Sequence, residues 1–177
     1  AIKVVFVHES VADDFTARLA AAVEALKPGM PWHEGVRVTP LPEPGKPASM
    51  AAFVGDAVEK GAVVANGSGG ATAGSLYFPA VVSGVTPAMR LFREEQFGPV
   101  VPVVRFSSVE EPVRAITESD YGQQVSLFGN DPAALARLVD PLVNQVCRVN
   151  LNSQCQRGPD AFPFTGRKDS AEGTLSV

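Results

Sequence analysis

Apolar positions along this chain switch repeatedly between two periods, which predicts strands and helices in succession. Ile2 to Val7 is a β-branched and aromatic run of strand length. Ser10 is placed to cap a helix, with Asp13 imitating the acidic partner of a capping box. Val11, Phe15, Leu19, Ala22, Val23 and Leu26 follow at helical spacing, and Gly29 supplies the stop. A second helix is expected from about Ala48 to Lys60, with Met50, Phe53, Val54, Ala57 and Val58 on one face and Gly61 ending it. Strands are expected at Ala62 to Ala65, Ala80 to Val85 and Val100 to Phe106. Ser108-Val109-Glu110-Glu111 has the spacing of a capping box and opens a helix through about Glu118. Gln124 to Phe128 reads as a strand, and Asp131-Pro132 as an N-cap followed by proline at the first helical position. Leu135, Leu138, Val139 and Leu142 form that helix's buried stripe, and Val146 to Leu151 is the last strand.

Strand-helix repetition of this kind implies an α/β fold, with a largely parallel sheet, right-handed crossovers and helices on both faces. Two stretches interrupt it. Prolines at 28, 31, 40, 42, 44 and 47 block helix and central strand alike, so this region reads as a surface excursion. Trp32 and His33 lie within it and receive no role. The run Asn66-Gly67-Ser68-Gly69-Gly70-Ala71-Thr72-Ala73-Gly74 looks like a phosphate loop, but lacks the Lys-Ser/Thr ending and is not followed by a helix start. It reads as a flexible turn between two strands.

At 177 residues the chain suits one domain with a substantial core, and 45% hydrophobic with 19% charged residues is ordinary for a globular protein. A net charge of −4 argues against nucleic acid as a partner, since phosphate neutralisation needs a basic face. No 18-residue apolar run is present to span a membrane. The start, Ala1 to Val7, is too short and wrongly flanked for a secretory signal, so a cytoplasmic location is expected. Cys147 and Cys155 stand eight positions apart, with His8 and His33 distant, so no metal site is expected. Both thiols are expected to be buried and unreactive.

Two segments carry candidate chemistry. Arg93-Glu94-Glu95-Gln96-Phe97-Gly98-Pro99-Val100 sets adjacent carboxylates, a ring and a Gly-Pro turn at a strand end, the kind of position at which open α/β sheets bind ligands. An ionised Glu only accepts hydrogen bonds and can take both hydroxyls of a ribose diol, while the ring covers a sugar-like face. The plainer reading is a solvated charge pair, a core Phe and a turn. After the last strand, Arg157-Gly158 offers a guanidinium fork for phosphate or carboxylate, and Phe162 and Phe164 an apolar wall. A solvated arginine and two phenylalanines sealing the sheet end is the alternative there.

Taken together, Glu94-Glu95-Gln96-Phe97-Gly98-Pro99-Val100, Asp120-Tyr121-Gly122, Val149-Asn150 and Pro163-Phe164-Thr165-Gly166-Arg167-Lys168-Asp169-Ser170 make the whole chain resemble the catalytic domain of the aldehyde dehydrogenase superfamily. Gln156-Arg157-Gly158-Pro159-Asp160 ahead of Phe162-Pro163-Phe164 is similar to the non-phosphorylating, NADP-dependent glyceraldehyde-3-phosphate branch. The resemblance implies that residues 1–177 form one catalytic-type α/β domain. It implies that Glu95 holds the nicotinamide ribose of NADP or NAD, with Phe97 packed near it. It implies that Arg157 binds the substrate phosphate and Phe164 lines the aldehyde tunnel. The parent would oxidise an aldehyde to a carboxylate through a cysteine thioester, as a homo-oligomer.

The departures also carry expectations. Family members usually have a small or apolar residue where Gln96 stands, and Thr165-Gly166-Arg167-Lys168-Asp169-Ser170-Ala171 differs from the usual Gly-Gly-x-Lys-x-Ser-Gly. In the family, Ala1-Ile2-Lys3 would follow the catalytic Cys-Thr almost immediately. The dinucleotide-binding domain, nucleophile, general base and oxyanion-holding Asn are therefore expected outside these residues. No catalytic residue is nominated within them, and 177 residues alone are expected to be inactive. Two alternatives stand beside this: a semialdehyde or other aldehyde as substrate, with Arg157 meeting a carboxylate, and a stand-alone binding domain without catalysis.

Overall fold

The computed structural model describes residues 2–155 and 166–171, which divide into two compact units, Ala1–Ser107 and Ser108–Val177. The first unit is built on a four-stranded sheet. Its members are β1 (Val5–His8), β2 (Val63–Val64), β5 (Ala80–Ser83) and β6 (Val100–Phe106), in the order β1-β6-β5-β2. β1 and β5 both run parallel to β6, and β2 alone is antiparallel, at an edge. Pro102 is tolerated in the central strand β6 because pairing with β1 begins only at Val103, so the missing N–H falls where β6 has one partner.

Strand alternation sorts the core into two layers. Ala80 and Val82 of β5 and Val100 and Val104 of β6 face one side, against Met50, Phe53 and Ala57 of helix α2 (Lys46–Glu59). Val81, Val103 and Val7 face the other, against Ala12 and Val23 of helix α1 (Glu9–Glu24). The expected α/β sheet with helices on both faces is thus present.

Several local expectations shift by a turn. The N-cap of α1 is His8, whose Nδ1 accepts from the Ser10 amide at 3.3 Å and lies 2.8 Å from Ser10 Oγ. Ser10 is therefore inside the helix. Val11, Phe15 and Ala22 of the expected stripe point outward; the buried residues of α1 are Ala12, Ala20 and Val23. Leu19 and Leu26 of the expected stripe pack against the same core as Ala12 and Val23, so the stripe is covered in part. In α2, Pro47 belongs to the first turn rather than to the irregular stretch, where its absent N–H costs nothing.

The glycine-rich segment turns away from β2 and ends in a short strand of its own, β3 (Thr72–Ala73), paired antiparallel with β4 (Leu76–Tyr77). It is anchored from within. Asn66 is buried, donates to Pro79 O at 2.9 Å and accepts from the Val81 amide at 2.9 Å. Glu24 at the end of α1 takes the Ser68 amide at 3.1 Å and the Ser68 hydroxyl, which holds its carboxyl below the usual range.

The second unit contains α4 (Glu110–Glu118), β7 (Gln124–Leu127), α5 (Pro132–Arg137), α6 (Val139–Val143) and β8 (Arg148–Leu151). β7 and β8 pair parallel as their own two-stranded sheet. Glu111 accepts from the Ser108 amide at 2.9 Å, one half of the capping box, and Asp131 caps α5 through the Ala133 amide at 2.9 Å. The single helix expected after Asp131 breaks at Leu138 because Pro141 has no N–H to offer the carbonyl of Arg137. Two of the resemblance segments meet here. Asp169 N donates to Asp120 O, Gly122 N to Ser170 Oγ, and Lys168 Nζ closes the end of α4 on the carbonyls of Ile116, Thr117 and Ser119.

Candidate functional site

The Glu-Glu-Gln-Phe-Gly-Pro segment emerges from a single helical turn, α3 (Arg90–Arg93), and leads into β6. It lies at the amino end of β6, so the rule that places ligands at carboxyl ends does not account for it. Its chemistry comes from the division of labour between neighbouring residues. Glu94 is committed: Arg90 donates to its two oxygens, each at 2.8 Å, and lowers its pKa. Arg90 in turn gives its amide to Asp56 of α2 at 2.8 Å and lies over the Phe53 ring at 4.5 Å. Glu95 is exposed and makes no hydrogen bond or ion pair among the described residues. Of the two carboxylates, it is the one with free acceptors.

Phe97 stands beside it, 65% exposed, with a backbone φ of +41°. An exposed aromatic in the left-handed region gains little from packing and costs about 1–3 kcal/mol in strain, so its surroundings must impose it. They do so on both sides. Gly98 sits so close to α2 that a Cβ there would be 2.4 Å from Met50 Sδ. Gln96 is only 1% exposed, and its Nε2 lies 2.9 Å from Ile2 O, 3.1 Å from Lys3 O and 3.0 Å from Val100 O. Its Oε1 has no partner among the described residues, a desolvation cost of about 1–3 kcal/mol. Lys46 Nζ lies 5.9 Å from the Phe97 ring centroid, placing a cation over the same aromatic face.

Lys3 completes the surroundings. Its Nζ donates to Leu91 O at 2.7 Å and Phe92 O at 3.0 Å, the carbonyls at the end of α3. Burial pushes its pKa down to about 8, against the pull of Glu95 and Glu94. Lys3 does not announce itself in the sequence, and Gln96 stands out there only as a departure from the usual small or apolar residue. One is a lysine at a strand start and the other a glutamine inside a motif, and only the fold brings residues 2–3 onto residues 91–96.

Of the four expected site residues, Glu95 and Phe97 are brought together on this turn, while Arg157 and Phe164 lie outside the described residues. The cysteine expectation needs correcting. Cys155 is exposed, 3.1 Å from Ser126 Oγ, and Cys147 is half-buried, because β8 is short and leaves Cys155 beyond its end. Among the described residues, no group of three or more His, Cys, Asp or Glu gathers to hold a metal, and no helix is long and apolar enough to cross a membrane.

An α/β unit presenting an uncommitted carboxylate and an exposed ring on a strained, buttressed turn defines a candidate small-molecule site. The family model for the aldehyde dehydrogenase family matches residues 1–177, and the chain belongs to that family. Among its relatives, it is 37% identical to an NADP-dependent glyceraldehyde-3-phosphate dehydrogenase from Streptococcus equinus, covering 100% of this chain and 36% of the relative. It is 38% identical to one of the same name from Arabidopsis thaliana, covering 100% and 35%. The solved NADP-dependent glyceraldehyde-3-phosphate dehydrogenase from Bacillus halodurans, complexed with NADP, superposes with a TM-score of 0.90 at 38% identity, over 99% of this chain and 36% of that one. The chain thus spans about a third of the length of the relatives it matches.

Proposed function

We propose that these residues form the catalytic-type portion of an NADP-dependent aldehyde dehydrogenase acting on glyceraldehyde-3-phosphate. In this reading, Glu95 accepts the hydroxyls of the nicotinamide ribose and Phe97 covers its sugar face. Arg157 binds the substrate phosphate and Phe164 forms an apolar wall of the aldehyde channel. The observation that carries it is the pairing of a free, exposed carboxylate with an exposed ring that the fold holds in a costly conformation. A diol needs an acceptor-only partner and a flat neighbour, and the residues present fit that need. Bound NADP supplies the hydride acceptor; Glu95 and Phe97 orient it. Relatives of the same printed function support the choice of substrate and cofactor, and the family resemblance supports a homo-oligomeric, cytoplasmic enzyme.

The test uses the whole polypeptide that carries these residues. Glu95→Gln removes the charge-assisted acceptor, and its loss is expected to raise the KM for NADP by about tenfold or more. Arg157→Ala is expected to raise the KM for glyceraldehyde-3-phosphate similarly while sparing that for NADP. An unchanged NADP KM in Glu95→Gln removes the ribose assignment, and an unchanged substrate KM in Arg157→Ala removes the phosphate assignment.

A further inference from the structure

We propose that Gln96 is a positioning residue, whose amide locks the turn bearing Glu95 and Phe97 to the backbone of Ile2 and Lys3 so that the two segments respond to the nucleotide as one body. The inference rests on the ribose assignment above. Its physical basis is a reciprocal clasp. Gln96 Nε2 reaches the carbonyls of Ile2 and Lys3, and Lys3 Nζ reaches back to the carbonyls of Leu91 and Phe92. The links run in opposite directions between the same two pieces of chain, 2–3 and 91–96, which are far apart in sequence.

Three features argue that this clasp does more than fill space. An apolar side chain of similar volume would fill the pocket without the unpartnered Oε1, so the amide is kept at a cost. The carbonyls it binds belong to the first residues before β1 and the first residue of β6, which fixes where the turn ends relative to the sheet. The residue immediately after it, Phe97, is the one held at φ +41°. A left-handed aromatic persists only when its neighbours over-determine it, and Gln96 is the neighbour with hydrogen bonds on both sides of the turn.

The consequence is measurable in the unaltered enzyme. Binding NADP is expected to slow amide exchange at Lys3 and Val4 together with Phe97 and Gly98, by comparable factors. Protection confined to 97–98 overturns the clasp and leaves the ribose assignment standing; protection at neither segment overturns both. The second arm is a double-mutant cycle on NADP affinity, read by direct binding. Gln96→Leu is expected to weaken NADP by roughly three- to tenfold, the scale of one lost hydrogen bond. The double variant with Glu95→Gln should bind less weakly than the two separate losses add up to, since Gln96 acts partly through Glu95 and partly through Phe97. Full additivity, or an unweakened Gln96→Leu beside a weakened Glu95→Gln, overturns the proposal. Should Gln96→Leu not fold, the exchange measurement decides it.

Discussion

Replacing Gly98 by alanine puts the packing beneath the site to a quantitative test. The added Cβ would lie 2.4 Å from Met50 Sδ and 3.3 Å from both Met50 Cγ and Cε, well inside van der Waals contact. Met50 is fully buried between α2 and the sheet, so its side chain has no open space to swing into. Either Met50 is forced off its rotamer or the turn lifts from α2, and overpacking of this kind costs about 1–3 kcal/mol. For a chain of 177 residues that corresponds to a melting-temperature drop of about 2–4 °C per kcal/mol. Urea unfolding of Gly98→Ala, Met50→Ala and the double variant separates the clash from other effects. Met50→Ala alone should cost about 2–5 kcal/mol by leaving a cavity. With the methionine gone, the new methyl enters vacated space, so the double variant should be more stable than the sum of the two losses by at least 1 kcal/mol or so. A Gly98→Ala protein as stable as the original, or losses that add within about 0.5 kcal/mol, would refute the proposed contact.

Two further outcomes follow from neighbouring groups. Asn66→Ala strips the buried Val81 amide of its acceptor and should cost about 1–3 kcal/mol in urea unfolding, whereas Ser68→Ala, at a half-buried position, should cost less. Lys3 titrates near 8 in the folded chain and near 10.5 when unfolded, so between those values the unfolded state binds more protons and stability should rise with pH. Lys3→Met should flatten that rise; a slope that persists in the variant would assign it to another group.

The sequence settled most of the longer elements, because strand and helix periods are local properties: β6 coincides with the expected Val100 to Phe106, and Asp131 caps its helix as its spacing requires. It also marked Glu95 and Phe97 as a pair, since a carboxylate, a ring and a Gly-Pro turn are adjacent in the chain. What it left open were choices made between distant residues. Which of two adjacent carboxylates is free was decided by Arg90, held from α2 by Asp56. Which residues of α1's expected stripe are covered was decided by where the sheet meets the helix: Val23, Leu19 and Leu26 pack on it, while Val11 and Phe15 do not. The roles of Lys3, Gln96 and Asn66 depend on partners tens of residues away, and a hydrogen bond between such partners leaves no period in the sequence. Local patterning gave the parts and the candidate chemistry; long-range packing decided their orientation, their charge state and what holds the site in place.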